Sequence, residues 1–448
     1  MNKSLSKFKM WTLIWGLGLV AQICWNIENS WFNTFVYSKI GKNPEIITGM
    51  LICSAAATTF STFFFGTWSD RIGKRRIFIS AGYVLWGLFT ILFGFTEFIS
   101  HDMFLLAAVS VVLADTVMSF FGSMANDAGY NAWCNDLMTD DNRGQIGASL
   151  ATQPVIGTIL GTVVGGLLIG SEDNYMRLFL VIGGAVMLFG VISFFAMGDT
   201  SFVHPSVRGS FWHQFGEVFN FKSLFANREL LLVHVALAVF FIGFNTYFAY
   251  IGNYLIYYLG FTADKMGIIE AVPLVLSMLV AIPVSKLLNM NKHVPVALCA
   301  VICNVLGLAI LYPVKPEGVD ASVIFAAANV QLFLGIFVLG VGYIAFLQTM
   351  KVWAKQLYPA DSRGQFEGIW ILFFVLIPMV GGSLLGQAVV KTSGETFVNT
   401  DSLQTEYIPN GNIFLVGGIV VLLALLPVLG CSKIRKSIVT DKHTGGSI

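Results

Sequence analysis

Four carboxylates interrupt long apolar stretches of the sequence. They are Glu28, Asp115, Asp127 and Glu270. A carboxylate away from water is costly unless it is protonated, paired or bound to a cation, so such residues are candidate cation-binding groups. A buried structural role is the alternative for the first three, and Glu270 lies close enough to the end of its stretch to reach water. We therefore predict a cation site formed by Asp127, Asp115 and Glu28.

Other polar side chains recur at helical spacing near these carboxylates. The fourth apolar stretch carries one such stripe: Asp115, Ser119, Gly122, Asn126 and Tyr130. The first carries another: Gln22, Asn26, Asn29, Asn33 and Tyr37. Residues spaced in this way share one face of a helix and could line a wet cavity, although hydrogen bonds between helices explain the Asn and Gln residues equally well.

Tyrosines on the seventh stretch suit a sugar, because each offers an apolar ring for stacking and a hydroxyl for hydrogen bonding. Tyr247 and Tyr250 lie deeper than Tyr257 and Tyr258, which are typical of an interfacial aromatic belt. The residues predicted on these grounds to bind substrate are Asn26, Asn29, Asn126, Tyr130, Tyr247 and Tyr250.

The elements that must position these residues are membrane-spanning helices. Of the 448 residues, 56% are hydrophobic and 11% are charged, whereas a soluble protein has about 25% charged residues. Twelve apolar runs are each long enough to cross a bilayer as a helix, which takes about 20 residues. We predict an all-α polytopic membrane protein with twelve transmembrane helices.

Composition and motifs also exclude several functions. A net charge of +1 gives no electrostatic basis for nucleic-acid binding. No nucleophile–base set, phosphate-binding loop or metal-ligand spacing occurs, so we predict no enzymatic activity, no cofactor and no metal site. The expected partners are a small molecule and the lipid bilayer, and we expect the protein to act as a monomer.

The distribution of Lys and Arg predicts the orientation. Most of the 26 basic residues fall in segments on one side of the twelve runs, including both ends of the chain. Basic residues concentrate on the cytoplasmic side of membrane proteins, so both termini are expected in the cytoplasm of a cell whose plasma or inner membrane holds the protein.

A duplicated loop divides the chain into two similar halves. The first copy follows the fourth run and includes Trp133, Leu137 and Arg143, and the second follows the tenth run with Trp353 and Leu357 at matching positions. Because each half holds six runs, the halves are parallel repeats, and transporters of this kind bind substrate near the midplane. We predict a six-helix bundle at 1–198, a cytoplasmic linker at 199–228 and a second bundle with a short tail at 229–448.

The loop after the second run contains Gly66-Thr-Trp-Ser-Asp70-Arg71-Ile-Gly73-Lys-Arg-Arg76. This sequence resembles the signature Gly-x-x-x-Asp-Arg-x-Gly-Arg/Lys-Arg of the major facilitator superfamily. The resemblance implies that fold and a cytoplasmic latch, in which Gly66 permits close packing and Asp70 pairs with a helix N-terminus or a basic group. The residues predicted to form the gating loops are Gly66, Asp70, Arg71, Gly73, Asp136, Arg143, Asp361 and Arg363. In this superfamily the tenth helix lines the cavity, which adds Gln348 to the predicted substrate-binding residues.

The segment Asn126–Leu137, followed by Arg143, is similar to the glycoside–pentoside–hexuronide:cation symporters and the related sucrose–proton symporters. The resemblance implies that Asp127 serves cation or sugar binding. The melibiose branch also has acidic residues in its second helix, but Ile46–Ser69 has none, which favours protons over sodium. We therefore expect alternating-access symport of a sugar or glycoside driven by protons, with sodium as the second choice. The alternatives are a carrier of another solute, of lipid or of lysolipid, or a sensor that does not transport.

Overall fold

The computed structural model describes residues 6–139, 141–197, 205, 209–216, 221–358, 368–399 and 404–444. Within this described part, twelve helices are long and apolar enough to cross a membrane. In chain order, spans 1 to 12 are Lys7–Ile40, Pro44–Ile72, Arg76–Phe98, Phe104–Asp136, Arg143–Glu172, Tyr175–Ala196, Arg228–Tyr258, Ala263–Asn289, His293–Leu311, Ala327–Leu357, Gly368–Ser393 and Asn412–Arg435. The predicted number and helical nature of the spans are confirmed, whereas the side of the membrane on which the termini lie stays a prediction.

The connection between spans 6 and 7 and the connection between spans 11 and 12 each contain two shorter elements. Two short helices, Phe211–Gly216 and Phe221–Ala226, lie between spans 6 and 7. Strands β1 (Glu395–Val398) and β2 (Thr405–Ile408) lie between spans 11 and 12 and pair antiparallel, with Glu395 opposite Ile408.

Local sequence explains the ends of span 2. Asn43 accepts a hydrogen bond from the Glu45 backbone N–H, and Pro44 occupies the first turn, where its missing N–H costs nothing. At the other end Gly73 has a φ of 70° and donates its N–H to the Ser69 carbonyl. Glycine tolerates this left-handed conformation, so it stops the helix directly before the basic residues.

Small residues bring span 5 close to span 1. A Cβ added at Gly161 would lie 2.4 Å from Asn26 Oδ1, and one at Gly165 would lie 2.1 Å from Trp31 Nε1. The Trp31 indole donates to the Gly161 carbonyl at 3.2 Å. The absence of side chains at these two glycines therefore lets the Trp31 indole bond directly to the backbone of span 5.

The contacts between residues divide the described chain into two compact units. The first comprises 1–217, 255–271 and 395–408, and the second comprises 218–254, 272–394 and 409–448, as far as these ranges are described. The first unit thus includes two segments from the second half of the chain. One is 255–271, where span 7 ends and span 8 begins, and the other is the β-hairpin. The predicted boundaries at 198 and 229 stay a prediction.

Candidate functional site

Three carboxylates from two spans meet inside the first unit. Ser119 of span 4 donates its hydroxyl to Glu28 Oε1 of span 1 at 2.7 Å. Asp115, one turn away from Ser119, is 2% exposed, and Ser54 of span 2 contacts its carboxylate. Glu28 is close enough to both Asp115 and Asp127 for their charges to interact. The structure therefore gathers all three predicted cation-binding residues into one cluster.

Asp127 is the member of the cluster with the most hydrogen-bond donors. Its Oδ2 accepts from the Ser123 hydroxyl at 2.6 Å, and its Oδ1 accepts from the Asn126 amide at 2.8 Å. Thr62 Oγ1 of span 2 lies 2.8 Å from Ser123 Oγ. Asp127 and Asn126 lie in a π-helical turn, Met124–Tyr130, within span 4. Such wide turns reorient side chains and are frequent at functional sites.

Several buried polar atoms around the cluster have no hydrogen-bond partner among the described residues: Glu28 Oε2, Asp115 Oδ1, Asn126 Oδ1 and Trp86 Nε1. Most buried polar atoms in proteins are hydrogen-bonded, so a group of exceptions at one place calls for an explanation. The sequence has no Lys, Arg or His in 10–38, 43–70, 77–100 or 102–142 to neutralise the carboxylates. The arrangement is therefore suited to holding a proton or another small cation.

The polar residues predicted on spans 1 and 4 to bind substrate are engaged in bonds between or along helices. Asn26 Oδ1 accepts from the Thr162 hydroxyl at 3.1 Å, and the Asn29 amide donates to the Trp25 carbonyl of its own helix at 2.7 Å. The Tyr130 hydroxyl donates to the Ile14 carbonyl at 2.6 Å. Asn126, as described, donates to Asp127. These contacts match the alternative interpretation of the stripes as helix-packing groups.

The predicted substrate residues of the second half are buried in the second unit. Tyr247 is 1% exposed, and its hydroxyl has no hydrogen-bond partner among the described residues. Tyr250 is fully buried, with its ring against Gly386 of span 11. The Gln348 amide donates to Ser285 Oγ at 2.6 Å, which joins span 10 to span 8. Tyr247 Oη and Gln348 Oε1 are thus buried polar atoms without a hydrogen-bond partner among the described residues.

Arg75 connects the loop after span 2 to the end of span 4. Its Nη1 lies 2.6 Å from Asp70 Oδ1, and its Nε donates to Asp136 Oδ2 at 2.9 Å. The Arg75 residue is only 5% exposed. Burial by itself lowers the pKa of this guanidinium, but hydrogen bonds and charge attraction with Asp136 and Asp70 raise it overall. The basic partner expected for Asp70 is therefore Arg75, which the motif alone did not single out.

The remaining gating residues differ in what they contact. Arg71 Nη1 donates to the Gly209 carbonyl at 3.0 Å and to Gln214 Oε1 at 3.1 Å, which joins span 2 to the connection after span 6. Arg143 is exposed at the start of span 5. The expected close packing at Gly66 is wrong for the described residues, because a Cβ there would meet no heavy atom within 4 Å.

Two further gating residues of the predicted second loop, Asp361 and Arg363, lie outside the described residues. Glu270 is partly exposed, and its Oε1 is buried without a hydrogen-bond partner among the described residues.

A family model described as Major Facilitator Superfamily matches residues 14–326 of this sequence. The match spans well over half of the 448 residues. The chain belongs to the major facilitator superfamily. No curated protein matches the sequence.

Solved structures share this superfamily fold at low sequence identity. The chain is similar to the nucleoside transporter NupG, with a TM-score of 0.67 and 13% identity over 95% of this chain and 99% of that one. It is also similar to a bacterial homologue of the human lysosomal transporter Spinster, with a TM-score of 0.69 and 11% identity over 96% and 98% of the two chains. A bacterial metal transporter aligns with a TM-score of 0.57 and 14% identity over 96% and 100%. At these identities the likeness establishes the fold alone.

The second unit of this superfamily member has an ion-pair cluster that the sequence analysis missed. Arg435 Nε lies 2.6 Å from Glu229 Oε1, and the Trp353 indole donates to the same oxygen at 2.8 Å. The Arg435 guanidinium also lies 4.8 Å from the centre of the Trp353 ring. The cluster joins spans 7, 10 and 12. The sequence contained one signal for this cluster, because a tryptophan recurs at positions 133 and 353 of the duplicated loop.

Proposed function

We propose that this member of the superfamily is a secondary transporter that couples proton binding to the movement of a sugar or glycoside by alternating access. The observation that carries the coupling is the cluster of Glu28, Asp115 and Asp127, because the segments 10–38 and 102–142 that hold it contain no basic residue. Three carboxylates in an apolar environment are stable only if cations neutralise part of their charge. A proton is the simplest such cation.

Protons are favoured over sodium because of the groups around the cluster. A dehydrated metal cation needs several oxygen ligands placed around one point. No group of three or more His, Cys, Asp or Glu residues with metal-binding geometry occurs in the described chain. The absence of acidic residues from Ile46–Ser69 supports the same choice.

The sugar assignment rests on the resemblance of Asn126–Leu137 to the glycoside and sucrose symporters and on the buried tyrosines of span 7. Tyr247 supports it most directly, since its buried hydroxyl lies beside the Asn304 side chain and makes no hydrogen bond of standard geometry among the described residues. We also propose that both termini are cytoplasmic, that the protein lies in the cell membrane and that it functions as a monomer.

Proton binding would drive transport by changing the relative stability of two conformations. A ligand shifts such an equilibrium only by as much as its affinity differs between the two states. The Arg75 contacts with Asp70 and Asp136 tie the end of span 4 to the loop after span 2, so these two segments would move together during such a change.

Uptake into proteoliposomes tests this function. Purified protein is reconstituted, and proton and sodium gradients are imposed separately on a panel of labelled sugars, glycosides, nucleosides and lysolipids. We expect accumulation of a sugar or glycoside with the proton gradient alone. Asp115→Asn and Asp127→Asn should abolish accumulation while leaving folded protein in the membrane.

Asp102→Asn, which changes an exposed carboxylate ahead of span 4, is the matched control and should accumulate substrate normally. Accumulation driven only by sodium would contradict proton coupling. Uptake of nucleosides or lysolipids without any sugar would contradict the substrate class, and full accumulation by both Asn variants would contradict the assignment of the carboxylates.

A further inference from the structure

The three carboxylates of the first unit have different surroundings. Both oxygens of Asp127 accept hydrogen bonds, from Ser123 at 2.6 Å and from Asn126 at 2.8 Å. Glu28 accepts one bond, from Ser119, and its Oε2 has no partner among the described residues. Asp115 Oδ1 likewise has none, although Asp115 is only 2% exposed.

These surroundings favour different protonation states. Donors that point at both oxygens of a carboxylate stabilise its ionised form. A buried oxygen without a donor favours the protonated form, because ionisation there leaves the charge unsolvated. Two carboxyl groups close together in such a place cannot both ionise easily, so one proton is held by the pair.

Two further unpartnered groups lie beside the turns of span 4 that carry Ser119 and Asp127. Trp86 Nε1 of span 3 is fully buried, and a Cβ at Gly122 of span 4 would lie 3.1 Å from it. Gly122 follows Ser119, the donor to Glu28, by one helical turn. Asn126, 3% exposed, also has an unpartnered Oδ1. The stretch of span 4 from Ser119 to Asp127 is therefore flanked by an indole N–H and an amide oxygen that no described group satisfies.

The other titratable groups around the cluster have their own partners. Tyr83 of span 3 donates its hydroxyl to the Leu17 carbonyl at 2.9 Å, and Cys24 Sγ of span 1 lies 3.9 Å from Thr90 Oγ1. Span 2 contributes the hydroxyls of Ser54 and Thr62 and the backbone carbonyl of Thr58, none of which ionises at neutral pH. The proton that the cluster can exchange is thus confined to the carboxylates.

We propose that Glu28 and Asp115 together bind the exchanged proton, whereas Asp127, which accepts hydrogen bonds from Ser123 and Asn126, stays ionised. The proposal rests on the proposed proton coupling and specifies which carboxylates perform it. A hydronium ion on one side of the membrane donates its proton to an unpartnered oxygen of the pair, which forms one O–H bond. After the conformational change that O–H bond breaks, and the proton passes to water on the other side.

Infrared spectroscopy of the reconstituted protein tests the assignment without any substrate. A protonated carboxyl has a C=O stretching band that an ionised carboxylate lacks, and the band is recognised by its shift in D₂O and its loss in alkaline buffer. Glu270 also has a buried oxygen without a partner among the described residues and would add a band of its own. All proteins compared therefore carry Glu270→Gln, and the otherwise wild-type protein should show the band at neutral pH. Glu28→Gln and Asp115→Asn should each remove or strongly shift it, because each breaks the pair.

Asp127→Asn should keep the band with a small change in frequency, since it removes a nearby negative charge and no proton. Asp102→Asn should leave the spectrum unchanged. Size-exclusion chromatography of every variant ensures that a lost band does not reflect unfolding. Loss of the band in Asp127→Asn with retention in both pair variants would overturn the proposal, and so would a wild-type spectrum without the band.

Transport data separate this inference from the proposed function. If the band behaves as expected but no proton-driven sugar uptake occurs in wild type, the proposed substrate or coupling fails and the proton-binding pair stands. If proton-driven uptake occurs and the band depends on Asp127 alone, the proposed function stands and the pair assignment fails.

Discussion

At the scale of single residues, the side chain with the most consequential contacts is Arg75. It is one of three consecutive bases in a loop, and in sequence it is indistinguishable from its neighbours. In the structure it is buried and bonded to Asp136, Asp70 and Ser69, whereas Lys74 is exposed. Its role depends on the end of span 4, which lies 61 positions away in the chain.

Replacing Arg75 therefore tests whether these contacts stabilise the protein. Arg75→Ala should lower the free energy of unfolding by about 1–3 kcal/mol, mostly through Asp136. Asp70 contributes little, because its side chain is 45% exposed and water screens the pair. Thermal unfolding in detergent measures the loss. Lys74→Ala removes the same charge from the same loop and should change stability little; equal losses in both variants would show that only net charge matters.

At the scale of elements, the signature after span 2 contains two glycines with different physical roles. Gly73 ends the helix with a backbone φ of 70°, which residues other than glycine rarely adopt. Gly66 lies inside the helix, and a Cβ there would meet open space in the described structure. The motif contains both glycines, but only Gly73 has a backbone conformation that requires glycine.

This difference predicts opposite outcomes for two alanine substitutions. Gly73→Ala should destabilise the protein by about 1–2 kcal/mol because of the left-handed backbone. Gly66→Ala should be neutral or stabilising by up to about 1 kcal/mol, because alanine favours helix. Unfolding temperatures in the same detergent compare the two. A larger loss in Gly66→Ala would indicate that this face contacts another segment when the protein functions.

At the scale of the whole molecule, the first connection and the last are joined in the first unit. Lys42, between spans 1 and 2, lies 3.2 Å from Glu406 of β2 and accepts the Tyr407 N–H on its carbonyl at 2.8 Å. The ammonium also lies 5.3 Å from the centre of the Tyr257 ring. Glu406 is 4% exposed, so the pair is well shielded from water.

A double-mutant cycle measures the coupling free energy between Lys42 and Glu406, which join the first and last connections between spans. Lys42→Met and Glu406→Gln should each destabilise the protein, and the double variant should lose less than the sum of the two. The expected coupling is about 1–3 kcal/mol, the range for a hydrogen bond to a charged group. Additive losses would mean that the two side chains act independently. Thr405→Ala on the same strand serves as a control for hairpin substitution.

Much of the fold could be predicted from the sequence. The twelve apolar runs form twelve helices. In a bilayer, backbone N–H and C=O groups without hydrogen bonds cost several kcal/mol each, and a helix bonds them all within one segment. The buried carboxylates were also recognisable from the sequence, since Glu28, Asp115 and Asp127 interrupt runs that otherwise lack charge.

The neighbours of each helix could not be predicted in this way. Helical periodicity places Asp115 and Ser119 on one face of span 4, but only the packing of span 1 against span 4 brings Glu28 to Ser119. The π-helical turn of Met124–Tyr130 further shifts side chains from the regular helical spacing.

The sequence by itself therefore determined the number of spans, the superfamily signature and the identity of the membrane-embedded carboxylates. The tertiary structure alone decided that Arg75 bonds Asp136, that Lys42 pairs with Glu406, and that both oxygens of Asp127 accept hydrogen bonds whereas Glu28 and Asp115 each keep one oxygen without a described partner. The physical reason is the range of the interactions. Hydrophobicity and helix formation depend on residues within a few turns, whereas hydrogen bonds and charge pairs between helices depend on which surfaces the fold brings within about 3 Å.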